Sequence, residues 1–138
     1  MGISLGGVGA LRLKFDFPEL VVGTVLIAPF LGSAATIESV EAAGGIQSWR
    51  KQQHDPNDVG EEIWSWLGAM YNEQSGTIPN TIIAYGENDK FAATSNYLAG
   101  SLSKSFVFRN DGQHKWVAWS PLWSDLTNSD SWTYLGSE

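Results

Sequence analysis

Three side chains in this 138-residue chain have the types and order to do chemistry together: Ser4, Asp89 and His114. Ser4 stands in Gly2-Ile3-Ser4-Leu5-Gly6, which fits G-x-S-x-G, the pattern of a serine on a sharp strand-to-helix turn with its hydroxyl projecting into an active site. The glycines answer a steric demand, because the serine backbone is strained and strand and helix pass closely on either side of it. A free serine hydroxyl is barely ionised at neutral pH. It attacks only when an imidazole takes its proton and a carboxylate holds the imidazole's tautomer and stabilises its charged form. Of the two histidines, His54 lies in the polar turn Gln53-His54-Asp55-Pro56 and reads as solvated, which leaves His114 as the base. Asp89 competes with a simpler role, capping the helix that starts near Lys90, and Glu87 is its nearest substitute. Asp111, three residues from His114, has a short reach for the far ring nitrogen.

Three residues so distant in sequence need elements that bring them to one place. Thr24-Val25-Leu26-Ile27-Ala28 and Thr81-Ile82-Ile83-Ala84-Tyr85-Gly86 are continuous apolar, β-branched runs of the kind buried on both faces of a parallel sheet, and Phe106-Val107-Phe108 reads as a last short strand. Between the turn and the first run, Leu5, Val8, Leu11 and Phe15 make one apolar helical stripe, ended by Asp16 and Pro18. Residues 33–76 form a helical insertion between the first two strands. It holds a short helix from Glu38 to Ala43 and a longer one near Asp58, which has capping-box spacing to Glu61 and carries Ile63, Trp64, Leu67, Met70 and Tyr71 on one face. This segment is read either as lid-like or as an ordinary amphipathic layer. Phe91 to Leu102 reads as a helix, a Trp-rich helix runs from Trp116 to about Leu126, and the tail from Asn128 to Glu138 carries no clear signal. The expected class is α/β, with about three parallel strands and flanking helices in one domain. In such sheets the C-terminal ends of neighbouring strands share an edge, where Ser4, Asp89 and His114 can converge.

In these motifs the chain resembles the C-terminal half of an α/β-hydrolase. That family is identified by a serine elbow, then Asp or Glu, then His, each after a successive strand. The resemblance covers about Gly2 to Leu126. It implies Ser4 as nucleophile, Asp89 in Tyr85-Gly86-Glu87-Asn88-Asp89 as acid, and His114 in Asp111-Gly112-Gln113-His114 as base. It also implies the Leu5 backbone N–H as one oxyanion donor. The family's remaining strands would precede the elbow, so the chain reads as an incomplete domain, with Met1 an internal methionine.

Composition narrows the partners. A formal charge of −7 without any Lys/Arg cluster argues against nucleic acid. Absence of Cys excludes disulfides and thiolate catalysis. The two histidines lack metal-ligand spacing, so neither metal nor cofactor is expected. The uncharged run from Leu20 to Ile37 is interrupted by Gly and Pro, which argues against a membrane span; no signal peptide is visible, which leans toward the cytoplasm, but an export signal would precede Met1 and the compartment stays open. Gly7-Val8-Gly9-Ala10-Leu11-Arg12 lacks the third glycine of a dinucleotide loop, and no Gly-Lys-Ser/Thr follows for a phosphate loop.

The expected activity is hydrolysis of a small-molecule ester, thioester or amide through an acyl-enzyme on Ser4. Trp64, Trp116 and Trp119 are candidate pocket residues for an apolar acyl or alcohol group. The competing reading is a non-catalytic remnant that binds a partner through its sheet edge.

Overall fold

The structure, a computed structural model, describes residues 1–49 and 55–137. Its centre is a parallel sheet of four strands, β1 (Gly2–Ile3), β2 (Thr24–Ile27), β3 (Thr81–Gly86) and β4 (Val107–Asn110), ordered β1-β2-β3-β4. The class is therefore α/β as expected, with one strand more than the three apolar runs. The fourth is β1, only two residues long, whose Gly2 and Ile3 lie opposite Leu26 and Ile27. It is a stub of the strand that leads into the serine turn, too short to show a periodicity of its own.

Side chains of β2 and β3 alternate between two cores. Leu26, Ile83 and Tyr85 face Leu11 of α1 (Gly6–Asp16), Trp64 and Leu67 of α4 (Val59–Met70) and Leu98 of α5 (Ala92–Ala99). Val25, Ile27, Ile82 and Ala84 face Leu122 and Leu126 of α6 (Trp116–Thr127). With helices on both faces, every position of β2 and β3 is buried, which explains their unbroken apolar sequence. Each wholly buried Leu or Ile contributes roughly 1.5–3 kcal/mol.

The segment 33–76 belongs to the first of these cores. It contains α2 (Ala34–Ala42), α3 (Ile46–Trp49) and α4, and their Val40, Ile46, Trp49, Ile63, Trp64 and Leu67 are all buried there. Helix α2 starts four residues before the expected Glu38, because Ser33 caps it in a box with Thr36, a partner less conspicuous than Glu or Gln. Asp58 caps α4 by accepting from the Glu61 N–H at 3.1 Å, while the Glu61 carboxylate turns to the Asp55 N–H at 2.8 Å.

The apolar stripe expected on α1 is only partly turned inward. Leu11 is buried and Val8 packs against the core, but Leu5 is 69% exposed, and Phe15 is exposed with its ring stacked on Trp66. The helix is rotated so that Gly7 abuts Pro29 and Lys14 reaches the start of β3. There the Lys14 Nζ donates to the Pro79 carbonyl at 2.8 Å, the Asn80 carbonyl at 3.1 Å and the Thr81 hydroxyl at 3.3 Å. The tail forms a short helix, α7 (Ser131–Tyr134), after which Leu135 packs against the second core. No helix among the described residues is long and apolar enough to cross a membrane.

Candidate active site

The site is built from three loops that leave the C-terminal ends of β1, β3 and β4. Ser4 follows β1 with φ of 51°, the left-handed region that a side chain rarely adopts. Its backbone is held on all sides: the Ser4 N–H donates to Ile27 at 2.9 Å, and its carbonyl accepts from Gly7 at 3.0 Å and Phe30 at 3.1 Å. Such over-determination is what keeps a strained residue in place. Gly2 has no alternative, because a Cβ there would overlap the Gly6 carbonyl. Gly6 differs from the sequence reading: a Cβ there would meet nothing within 4 Å, so close passage of strand and helix makes no demand at that position.

Asp89 lies three residues beyond Gly86, in a turn closed by the Asp89 N–H donating to the Gly86 carbonyl at 3.1 Å. Its two carboxylate oxygens have different partners. Oδ1 accepts from the Phe91 N–H at 2.8 Å, in the turn just before α5 rather than as its cap, and Oδ2 lies 2.7 Å from His114 Nδ1. Glu87, by contrast, is exposed, as is Asp111.

His114 sits in the loop between β4 and α6, its Nε2 2.9 Å from the Ser4 hydroxyl. The Asp89 side chain is 1% exposed and that of His114 15%. A carboxylate can only accept, so the neutral imidazole bonded to it carries its proton on Nδ1 and presents a lone pair at Nε2 to the serine hydroxyl. The ring is steadied edge-on by Phe91 and Trp119, with centroids 4.9 and 4.8 Å away. The arrangement therefore links a strained serine, an imidazole of fixed tautomer and a nearly dry carboxylate, the groups that proton removal from a hydroxyl needs. The Leu5 N–H, next in sequence to Ser4, has no hydrogen-bond partner among the described residues and stands at the start of α1, where the helix dipole favours negative charge.

The three tryptophans expected in a pocket separate. Trp64 is wholly buried and its indole N–H donates to the Leu31 carbonyl at 2.8 Å, so it offers no surface to a ligand; its helical spacing marked core. Trp116 and Trp119 do line a cavity of about 350 Å³, with Met1, Ile3, Ile27, Ser120 and Trp123. Among the described residues no charged side chain contributes to its wall, and Trp119 joins it to the His114 ring.

Sequence reasoning missed Phe91, whose ring steadies His114, and Asn88 and Asn110, which tie the acid and base loops together. Nothing distinguished these residues from ordinary loop and helix-start positions. His54 lies outside the described residues. Among the described residues, no three His, Cys, Asp or Glu side chains gather as a metal ion would require.

Comparison with models of known protein families, with curated proteins and with solved structures yields no match to this chain.

Proposed function

We propose that this chain carries the catalytic centre of a serine hydrolase of the α/β-hydrolase type, acting on an ester, thioester or amide by acyl transfer to Ser4. The observation that supports it is the unbroken hydrogen-bonded series from Ser4 Oγ through His114 to Asp89, at 2.9 and 2.7 Å, headed by a serine at φ of 51°.

In this reading the Ser4 oxygen attacks the acyl carbon while His114 Nε2 takes its proton. Asp89 stabilises the imidazolium that forms. Negative charge on the carbonyl oxygen meets the Leu5 N–H, and a single donor of this type contributes on the order of 3 kcal/mol to the transition state. His114 then returns its proton to the leaving group, and a water activated by the same imidazole hydrolyses the acyl-enzyme. The uncharged cavity beside Trp119 favours a carboxylester with an apolar acyl or alcohol group.

A fluorophosphonate probe tests the reading, since it labels only an activated serine. Labelling of the chain that disappears in Ser4→Ala is expected. Equal labelling of both proteins, or labelling of neither, would overturn it.

A further inference from the structure

We propose that Asn110 is a positioning residue that holds His114 against Asp89 by bridging the acid loop, the base loop and the first turn of α6. It is the last residue of β4 and lies opposite Gly86, the residue from which the acid loop departs. Three of its groups bond to three different pieces of chain. Its carbonyl accepts from the Glu87 N–H at 2.8 Å, inside the acid loop. Its side-chain Oδ1 accepts from the Gly112 N–H at 2.9 Å, and its Nδ2 donates to the Ala118 carbonyl at 2.9 Å.

Gly112 and Ala118 bracket His114, so one amide fixes both ends of the loop that carries the imidazole. The Gly112 carbonyl in turn accepts from the Asn88 N–H at 3.1 Å, and the Asn88 side chain donates to the Asp111 carbonyl at 2.7 Å, which returns the connection to the acid loop. Only an amide meets the demand at position 110. It presents an acceptor and a donor on one rigid plane, whereas aspartate lacks the donor and sets a negative charge against the Ala118 carbonyl, and leucine lacks both groups.

The leverage is geometric. His114 must satisfy Asp89 at one nitrogen and Ser4 at the other, and misplacement by about 1 Å costs on the order of 10²-fold in rate. The effect on turnover rests on the serine-hydrolase reading; the effect on the His114–Asp89 contact does not.

The test compares the full chain with Asn110→Ala and Asn110→Asp by fluorophosphonate inactivation kinetics and by the low-field proton NMR signal of the His114 Nδ1–H. Val40→Ala, at a residue of α2 buried in the first core and without a hydrogen bond to the acid or base loop, serves as a control for lowered thermal stability. Asn110→Ala is expected to slow the inactivation step about 10- to 100-fold with unchanged probe affinity and to lose the low-field signal. Asn110→Asp, which keeps the acceptor for Gly112, is expected to fall between Asn110→Ala and the parent. Val40→Ala should match the parent in both readouts. A parent without labelling but with a low-field signal that Asn110→Ala abolishes would overturn the hydrolase reading and leave the positioning role standing. Retention of the signal and rate in Asn110→Ala, or an equal loss in Val40→Ala, would overturn the positioning role.

Discussion

Gly86 and Gly112 meet backbone to backbone: a Cβ on Gly86 would overlap the Gly112 carbonyl, and one on Gly112 would overlap Ala118. The acid and base loops are thus as close as two chains can come, and the Asp89–His114 distance depends on it. Gly86→Ala is expected to destabilise the fold by about 1–3 kcal/mol in urea denaturation and to slow fluorophosphonate labelling. Gly6→Ala, with open space around it, is expected to stabilise by about 0.4–1 kcal/mol and to leave labelling intact. Equal effects at the two positions would refute this account of the glycines.

The division of the Asp89 carboxylate between Phe91 and His114 separates stability from chemistry. Asp89→Asn retains an oxygen for the Phe91 N–H, so its melting temperature should stay near that of the parent. Loss of the carboxylate beside His114 should lower the rate by about 10⁴-fold, as expected when the imidazole adopts the wrong tautomer. Glu87→Gln should match the parent in ester hydrolysis. A large loss in Glu87→Gln with activity retained in Asp89→Asn would reassign the acid.

Two tryptophans should behave oppositely. Trp64→Phe removes the donor to the buried Leu31 carbonyl and is expected to cost about 1–3 kcal/mol without changing KM. Trp116→Ala, at a residue 67% exposed, should leave stability nearly unchanged and raise KM for apolar esters. Comparison of chemical denaturation with steady-state kinetics distinguishes the two.

Lys14 is 8% exposed, yet its ammonium is surrounded by oxygen acceptors from Pro79, Asn80 and Thr81. Lys14→Met fills similar space but abandons those acceptors, at an expected loss of about 1–3 kcal/mol in urea denaturation. A neutral or stabilising substitution would show that packing alone seats α1.

Burial pushes the Tyr85 and Tyr97 hydroxyls above their ordinary value of 10.0; the Glu41 charge adds to the shift at Tyr97, and Arg109 opposes it at Tyr85. Above pH 10 the unfolded chain releases phenolic protons that the folded chain retains, so folding stability falls as pH rises. The contribution is fully present below the ordinary value and is lost as pH passes through the raised folded values. Tyr97→Phe should flatten the alkaline decline in thermal stability measured between pH 9 and about 11. An unchanged slope would rule out this residue as a source.

Much of this molecule was legible because its strongest signals are local. The runs at Thr24 and Thr81 read as strands buried on two faces, and Ser4, Asp89 and His114 stood out because each lies in a turn or polar loop that follows a strand. The structure brings those three side chains together at hydrogen-bonding distance. What stayed hidden depends on the packing partner. Nothing in Phe91 distinguishes a core aromatic from one that steadies an imidazole. Trp64 and Trp119 look alike in sequence, but one bonds Leu31 in the core and the other stands beside His114. The inward turn of Lys14 contradicts its polarity and was decided by carbonyls 65 and 66 residues away.

The contact between Ser4 and His114 spans 110 residues of chain. Closing so long a loop is entropically late, because intervening strands must align before either end gains from the encounter. Formation of the Ser4–His114 contact therefore reports completion of the sheet. On the proposed reading of Ser4 as a nucleophile, reactivity toward the probe should emerge during refolding only after helical content has recovered, so that labelling would time the final step of folding.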